Sequence, residues 1–195
     1  VEAIRPVVRR ARDRGVETLS VYTFSTENWN RPNDEVAGLF GLIDGAVRQH
    51  TDELIAEGVR VNVIGRLHEA PADVQRSIRT AEERTRGGER MTLNICFNYS
   101  GRAEIVDAVR ELMATGTNPA ELDEAHLGQH LYTAGQPDVD LLIRTGGDLR
   151  TSNFLIWQAV YAELIFSDKF WPEFTPDDFD AALGEYARRD RRFGA

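Results

Sequence analysis

"MTLNICFNYSGRAEIVDAV", residues 91–109, is the stretch that decides the fold. From Met91 to Tyr99 it is aliphatic, β-branched and aromatic, which reads as a buried strand. Ser100 is placed to cap a following helix over 101–114, with Glu104 in the first turn, where a carboxylate suits the helix dipole. A strand thus passes into a helix across one short connection.

The same alternation extends in both directions. Upstream, residues 1–14 read as an amphipathic helix stopped by Gly15, and 16–24 as a strand. The polar loop "STENWNRPND" leads to a helix over 34–57, with Val36, Leu39, Phe40, Ile43, Val47, Leu54 and Ile55 at helical spacing. Gly58 ends it, 59–65 alternates as a strand, and 71–86 is a polar helix with Pro71 near its start. Downstream, helices are expected at 121–131 and 176–190 and strands at 139–145 and 163–167. Strand–helix alternation with short connections predicts an α/β fold, a central, mainly parallel sheet of about six strands flanked by helices. The 195 residues fit one domain, 1–195.

Composition narrows the function. A net charge of −9 argues against nucleic acid, because phosphate backbones need a basic surface. Lys169 is the only lysine, so the positive charge is nearly all arginine, the better bidentate grip on phosphate. Cys96 is the only cysteine and lies within the strand, so it reads as an inert core thiol, and a reducing, cytoplasmic setting fits. No apolar run approaches the roughly 18 residues of a membrane span.

In parallel sheets ligands bind beyond the carboxyl ends of strands. Three segments lie there: "FSTENWNR", "FNYSGR" and "RTGGDLRTSN". In the third, Gly146 and Gly147 allow a bend between Arg144 and Arg150, and Ser152 and Asn153 follow. Two guanidiniums and a hydroxyl suit a diphosphate, although an ordinary turn with surface arginines fits equally. No Walker loop or G-x-G-x-x-G is present. In the first, Ser25 and Asn28 can hydrogen-bond a substrate, with Trp29 and Arg31 beside them; a capped loop with a packed indole is the plainer alternative. Glu163 sits in an apolar strand, where a carboxylate needs a partner: a Mg2+ ion or an arginine. His126 and His130, four apart, read as a solvated helix face.

Together, "YTFSTENWNRPNDEV", "LNICFNYSGRAEIVDAV", "PDVDLLIRTGGDLRTSNFLIWQAVYAELIFSDKFWPEF" and "RRDRRFGA" resemble the cis-prenyltransferase family of the undecaprenyl diphosphate synthase type, in the family's order and over nearly the whole chain. The resemblance implies a Mg2+-dependent homodimer that joins isopentenyl diphosphate to an allylic diphosphate with a new cis double bond. It implies that Arg144, Arg150 and Ser152 clamp isopentenyl diphosphate, and that Glu163 attends Mg2+, acting in the dimer. Ser25 and Asn28 would lie beside the condensing carbons, and Trp29, Arg31 and Glu35 near the allylic substrate. Arg192 and Gly194, in the terminal Arg-Phe-Gly, would reach the partner's diphosphate site. The helices at 34–57 and 101–114 would line a tunnel for the growing chain, or simply pack as core. A long product would bring peripheral membrane contact on release.

The family's first motif, an Asp-Gly-Asn-Gly-Arg-Trp-like stretch whose aspartate holds Mg2+, does not occur and would lie before Val1; the expectation is a truncated copy. Asp148 stands where Glu is common, Leu149 where a polar residue is common and Ser100 where Gly is common. The expected product is a long-chain carrier lipid precursor for cell-wall glycans. The alternatives are a short cis-farnesyl-type product or a non-catalytic partner subunit.

Overall fold

A computed structural model describes residues 3–189. Strands β1 (Thr18–Ser25), β2 (Val59–Ile64) and β3 (Met91–Tyr99) form a parallel sheet in the order β1-β3-β2. β3 is central, and Leu93, Asn94, Cys96, Phe97, Asn98 and Tyr99 are all buried, as expected of a strand covered on both faces. Cys96 is fully buried, and burial pushes its thiol well up, which fits an inert core residue.

Helices cover the two faces. On one, Val7, Val8 and Ala11 of α1 (Ile4–Asp13) pack with Val59, Met91 and Leu93, and with Phe174 and Phe179 near α6 (Pro176–Arg188). On the other, Val36 and Phe40 of α2 (Asn33–Ala56) meet Phe24, Phe97, and Val74 and Ile78 of α3 (Ala72–Thr85). Leu39, Ile43 and Val47, each only partly buried, pack against this second cluster. α4 (Gly101–Ala114) follows β3 directly, burying Ala108 and Leu112 while Val106 and Met113 stay exposed.

β4 (Leu141–Thr145) and β5 (Glu163–Ser167) form a second parallel pair, with Leu141 opposite Glu163 and Thr145 opposite Ser167. Among the described residues the two sheets share no ladder. The edges of β1 and β4 line a common cavity of about 530 Å3, with Leu19, Val21, Leu141 and Ile143 in its wall. The expected six strands are therefore five among the described residues, in two sheets.

The helix expected over 121–131 is also shorter. Only α5 (Glu124–Gly128) forms, after a 3-10 turn at Pro119–Glu121. Asn118 and Asp123 each accept a hydrogen bond from the backbone N–H two or three residues on, starting two short turns instead of one long helix. No helix among the described residues is long and apolar enough to cross a membrane.

Candidate active site

Parallel pairing sets Ser25 opposite Tyr99, so the loops after β1 and β3 leave the sheet side by side. The β1 loop is a 3-10 turn, Thr26–Asn30, in which Asn28 Oδ1 accepts the Ser25 N–H at 2.8 Å. The Trp29 indole N–H donates to Asn98 Oδ1 at 2.8 Å, and its ring lies edge-on to Phe24 and Phe40. This is the capped loop with a packed indole; it holds Ser25 and Asn28 at the strand end. Arg31 and Glu35 form an exposed pair at 3.8 Å at the start of α2.

The β4 loop turns at Gly146 and Gly147, with φ of 92° and 77°, values that glycine accepts without strain. Their N–H groups donate to the Lys169 and Ser167 carbonyls at 2.9 and 3.0 Å, tying the bend to the end of β5. The bend folds Arg150 back toward Arg144. One oxygen of Asp148 accepts from Arg144 Nη2 at 2.8 Å and from Arg150 Nη2 at 2.6 Å, and Arg144 Nη1 donates to Ser152 Oγ at 3.2 Å. Arg144, Arg150 and Ser152, chosen on sequence, are thus brought together around one carboxylate. Two cations share one anion, leaving a net positive charge. Among the described residues the buried Arg144 Nε has no hydrogen-bond partner, a costly state that an anionic ligand would relieve.

Ser152, Asn153 and Leu155 adopt left-handed φ values of 50°, 64° and 44°. For a leucine this is strained, and near-complete burial holds it. The kinked segment lies on the start of α4. The Asn153 carbonyl accepts the Gly101 N–H at 2.9 Å, and Asn153 Oδ1 accepts the Arg102 N–H at 3.0 Å. Only glycine fits at 101, since a Cβ would lie 2.7 Å from Ile156 Cγ1. Ser100 was expected to cap α4 with its hydroxyl. That hydroxyl instead accepts from Asn153 Nδ2 at 2.6 Å, and Asn153 caps the helix from another loop. Asn153 Nδ2 also reaches Glu27 Oε1 at 3.3 Å, so one side chain touches all three strand-end loops.

Electrostatics follow from these contacts. Burial pushes the Glu27 carboxyl up, but hydrogen bonds from its own N–H, Asn153, Ser25 and Thr26 outweigh this and hold it below the usual range. Burial, helped by the Glu27 charge, pushes the Tyr22 hydroxyl up to about 12. Glu104 stands in the first turn of α4, as expected, and is fully buried there. It accepts from Tyr99 Oη, the Tyr132 N–H and Gln158 Nε2, and burial raises it although these bonds pull the other way.

The family model described as "Putative undecaprenyl diphosphate synthase" matches residues 1–194. An isoprenyl transferase of Brucella suis is 46% identical over 198 aligned positions, covering 100% of this chain and 78% of that protein. The chain belongs to the undecaprenyl diphosphate synthase family. Among solved structures, a probable undecaprenyl diphosphate synthase from Campylobacter jejuni superposes with a TM-score of 0.90 at 32% identity, covering 100% of this chain and 91% of that one. Lavandulyl diphosphate synthase from Lavandula x intermedia, solved with dimethylallyl diphosphate, gives 0.95 at 31% identity, over 100% and 86%. The protein is a cis-prenyltransferase.

Other expected site residues of this prenyltransferase lie elsewhere. Glu163 opens β5, opposite Leu141, four register steps from the Thr145 end where the arginines sit. At ~3.3 Å per residue that is roughly 13 Å of strand. Its Oε2 accepts from Arg189 Nη1 at 2.6 Å, so the arginine partner left open on sequence is present. Among the described residues no three His, Cys, Asp or Glu side chains cluster as for a metal cage. His126, in α5, and His130, beyond its end, are half-buried neighbours rather than a solvated helix face, His130 lying 3.4 Å from Glu111. Arg192 and Gly194 lie outside the described residues. The sequence alone assigns no role to Asn153 or Asp148. Their partners lie up to 126 residues away or depend on the bend. The only local signal for Asn153 was an Asn, a residue tolerant of left-handed φ, just beyond a Gly-Gly turn.

Proposed function

We propose that this cis-prenyltransferase condenses isopentenyl diphosphate with an allylic diphosphate in a Mg2+-dependent reaction, giving a long cis-polyprenyl diphosphate of the kind that carries cell-wall glycans. The observation that carries the reading is the Arg144–Asp148–Arg150–Ser152 group, whose neighbour Asn153 reaches Glu27 of the β1 loop. Its guanidiniums hold the isopentenyl diphosphate, with the Ser152 hydroxyl as a further donor. Ser25 and Asn28 orient the condensing carbons, and Trp29, Arg31 and Glu35 face the allylic substrate. The allylic carbon–oxygen bond breaks, its electrons leaving with the diphosphate; the isopentenyl double bond attacks that carbon, and a proton is lost. The arginines stabilise charge on phosphate oxygens without any covalent enzyme intermediate.

Mg2+, when bound, neutralises the leaving diphosphate. A single carboxylate, Glu163, without a surrounding cage fits an ion held mainly by phosphate oxygens and water. Glu163 begins β5, whose outer edge has no partner strand among the described residues. Val160, Tyr161, Phe166, Phe170 and Trp171, in and around β5, are all exposed. Exposed apolar groups around an edge strand support a homodimer in which Glu163 works across the interface. The chain would act as one domain in the cytoplasm, touching the membrane only to release product.

A shorter product is the second reading. It is favoured by the filling of the α2 face by Phe24, Phe97, Val74 and Ile78. Incubation of the protein with labelled isopentenyl diphosphate, several allylic primers and Mg2+, followed by product chromatography, tests both. Long products that vanish on chelation are expected. Products that stop after one or two additions favour the second reading, and no incorporation with any primer overturns both.

A further inference from the structure

We infer that Asn153 is a positioning residue, which locks the β1 loop to the diphosphate-holding β4 loop so that the reacting carbons and the bound diphosphate keep a fixed separation. The inference rests on the reading that these two loops serve one reaction. It is carried by four hydrogen bonds from a single residue. The Asn153 carbonyl accepts the Gly101 N–H at 2.9 Å, and its Oδ1 accepts the Arg102 N–H at 3.0 Å. Its Nδ2 donates to Ser100 Oγ at 2.6 Å and to Glu27 Oε1 at 3.3 Å. The first two bonds give protein acceptors to the first two N–H groups of α4. The last bond is the one that crosses from the clamp segment to the β1 loop.

Asn153 touches neither Arg144 nor Arg150 by any of these bonds. Its loss therefore leaves the clamp's own donors in place and loosens their aim. Misplacement of reacting groups by about 1 Å costs up to roughly 100-fold in rate. Binding through an intact clamp changes far less.

Asn153→Gly is the informative variant. Glycine accepts the observed φ of 64° and keeps the backbone carbonyl, so only the side-chain bonds go. The expected result is a kcat about 10–100-fold lower with the KM for isopentenyl diphosphate changed by less than about threefold. Hydrogen–deuterium exchange of the full chain should quicken at residues 25–31. Asn153→Asp keeps the acceptor for Arg102 but places a carboxylate against Glu27. Its rate should recover as pH falls and the new carboxyl gains a proton to donate, while Asn153→Gly shows no such recovery. A double variant with Glu27→Gln should lose little more than Asn153→Gly alone. A rise in KM at constant kcat, unchanged exchange at 25–31, or a lower melting temperature with an unchanged rate per folded molecule would each overturn the assignment. Should the parent protein show no prenyl transfer, the functional reading fails by itself, and exchange at 25–31 still decides whether Asn153 locks the loops.

Discussion

Two groups of arginines in this chain look alike in composition and differ in what they join. Those of α1 bridge elements: Arg5 and Arg9 meet Glu53 of α2, Arg9 and Arg12 meet Glu57, and Arg10 and Arg14 meet Asp180 of α6. Among the described residues, Arg144 at the end of β4 and Arg150 in the loop after it pair with no other element; both turn onto Asp148. A charge whose partner sits on another helix contributes to the fold. A pair sharing one local carboxylate leaves charge for a ligand. Position in the sheet agrees with this division, since the second group lies at the carboxyl end of β4 and the first packs α1 against α2 and α6.

The largest expected effect is on the second group. Arg144→Ala removes a part-buried guanidinium, and charge-assisted contacts are worth about 1.5–3 kcal/mol, so the KM for isopentenyl diphosphate should rise roughly 10–150-fold. Steady-state kinetics check this, and an unchanged KM would erase the distinction between the groups. Arg150→Ala, at the more exposed partner, should act in the same direction with a smaller rise. The matching variant in the first group, Arg14→Ala, should leave KM unchanged and lower the melting temperature modestly, because surface pairs contribute little. A change in KM there would break the comparison from the other side.

The smallest effect is on acid stability. Hydrogen bonds from Arg14 and Arg10 hold the Asp180 carboxyl down to about 2, below its usual 3.8. A depressed carboxyl stabilises the fold fully above the unfolded value and loses that contribution as pH falls from about 4 to 2. Asp178, held to about 2 by Lys169 and Thr175, acts in the same direction. Asp180→Asn should therefore flatten the fall in melting temperature below pH 4, as followed by circular dichroism. An unchanged slope would show that the α1–α6 pairs do not contribute in this way.

What could be read from the sequence was what local chemistry controls. β3 and α4 appear where the change from aliphatic run to helical spacing placed them, with bounds Met91–Tyr99 and Gly101–Ala114. The meeting of Arg144, Arg150 and Ser152 was legible because a two-glycine bend brings near neighbours together. The cap of α4 was not. Ser100 has the right chemistry and position, but a residue 53 positions away takes its hydroxyl and replaces it at the helix end. Glu163 could be recognised as needing a partner, yet only the register of β5 shows it at the far end of the strand from the arginines. The 121–131 helix is cut to Glu124–Gly128, started late by the Asp123 cap.

Calorimetric titration of inorganic pyrophosphate tests the central division most directly, using the parent protein, the Arg144→Ala/Arg150→Ala double variant and Arg14→Ala. Binding is expected in the parent and in Arg14→Ala, and its loss in the double variant. Equal affinity in all three would show that Arg144 and Arg150 do not hold the diphosphate.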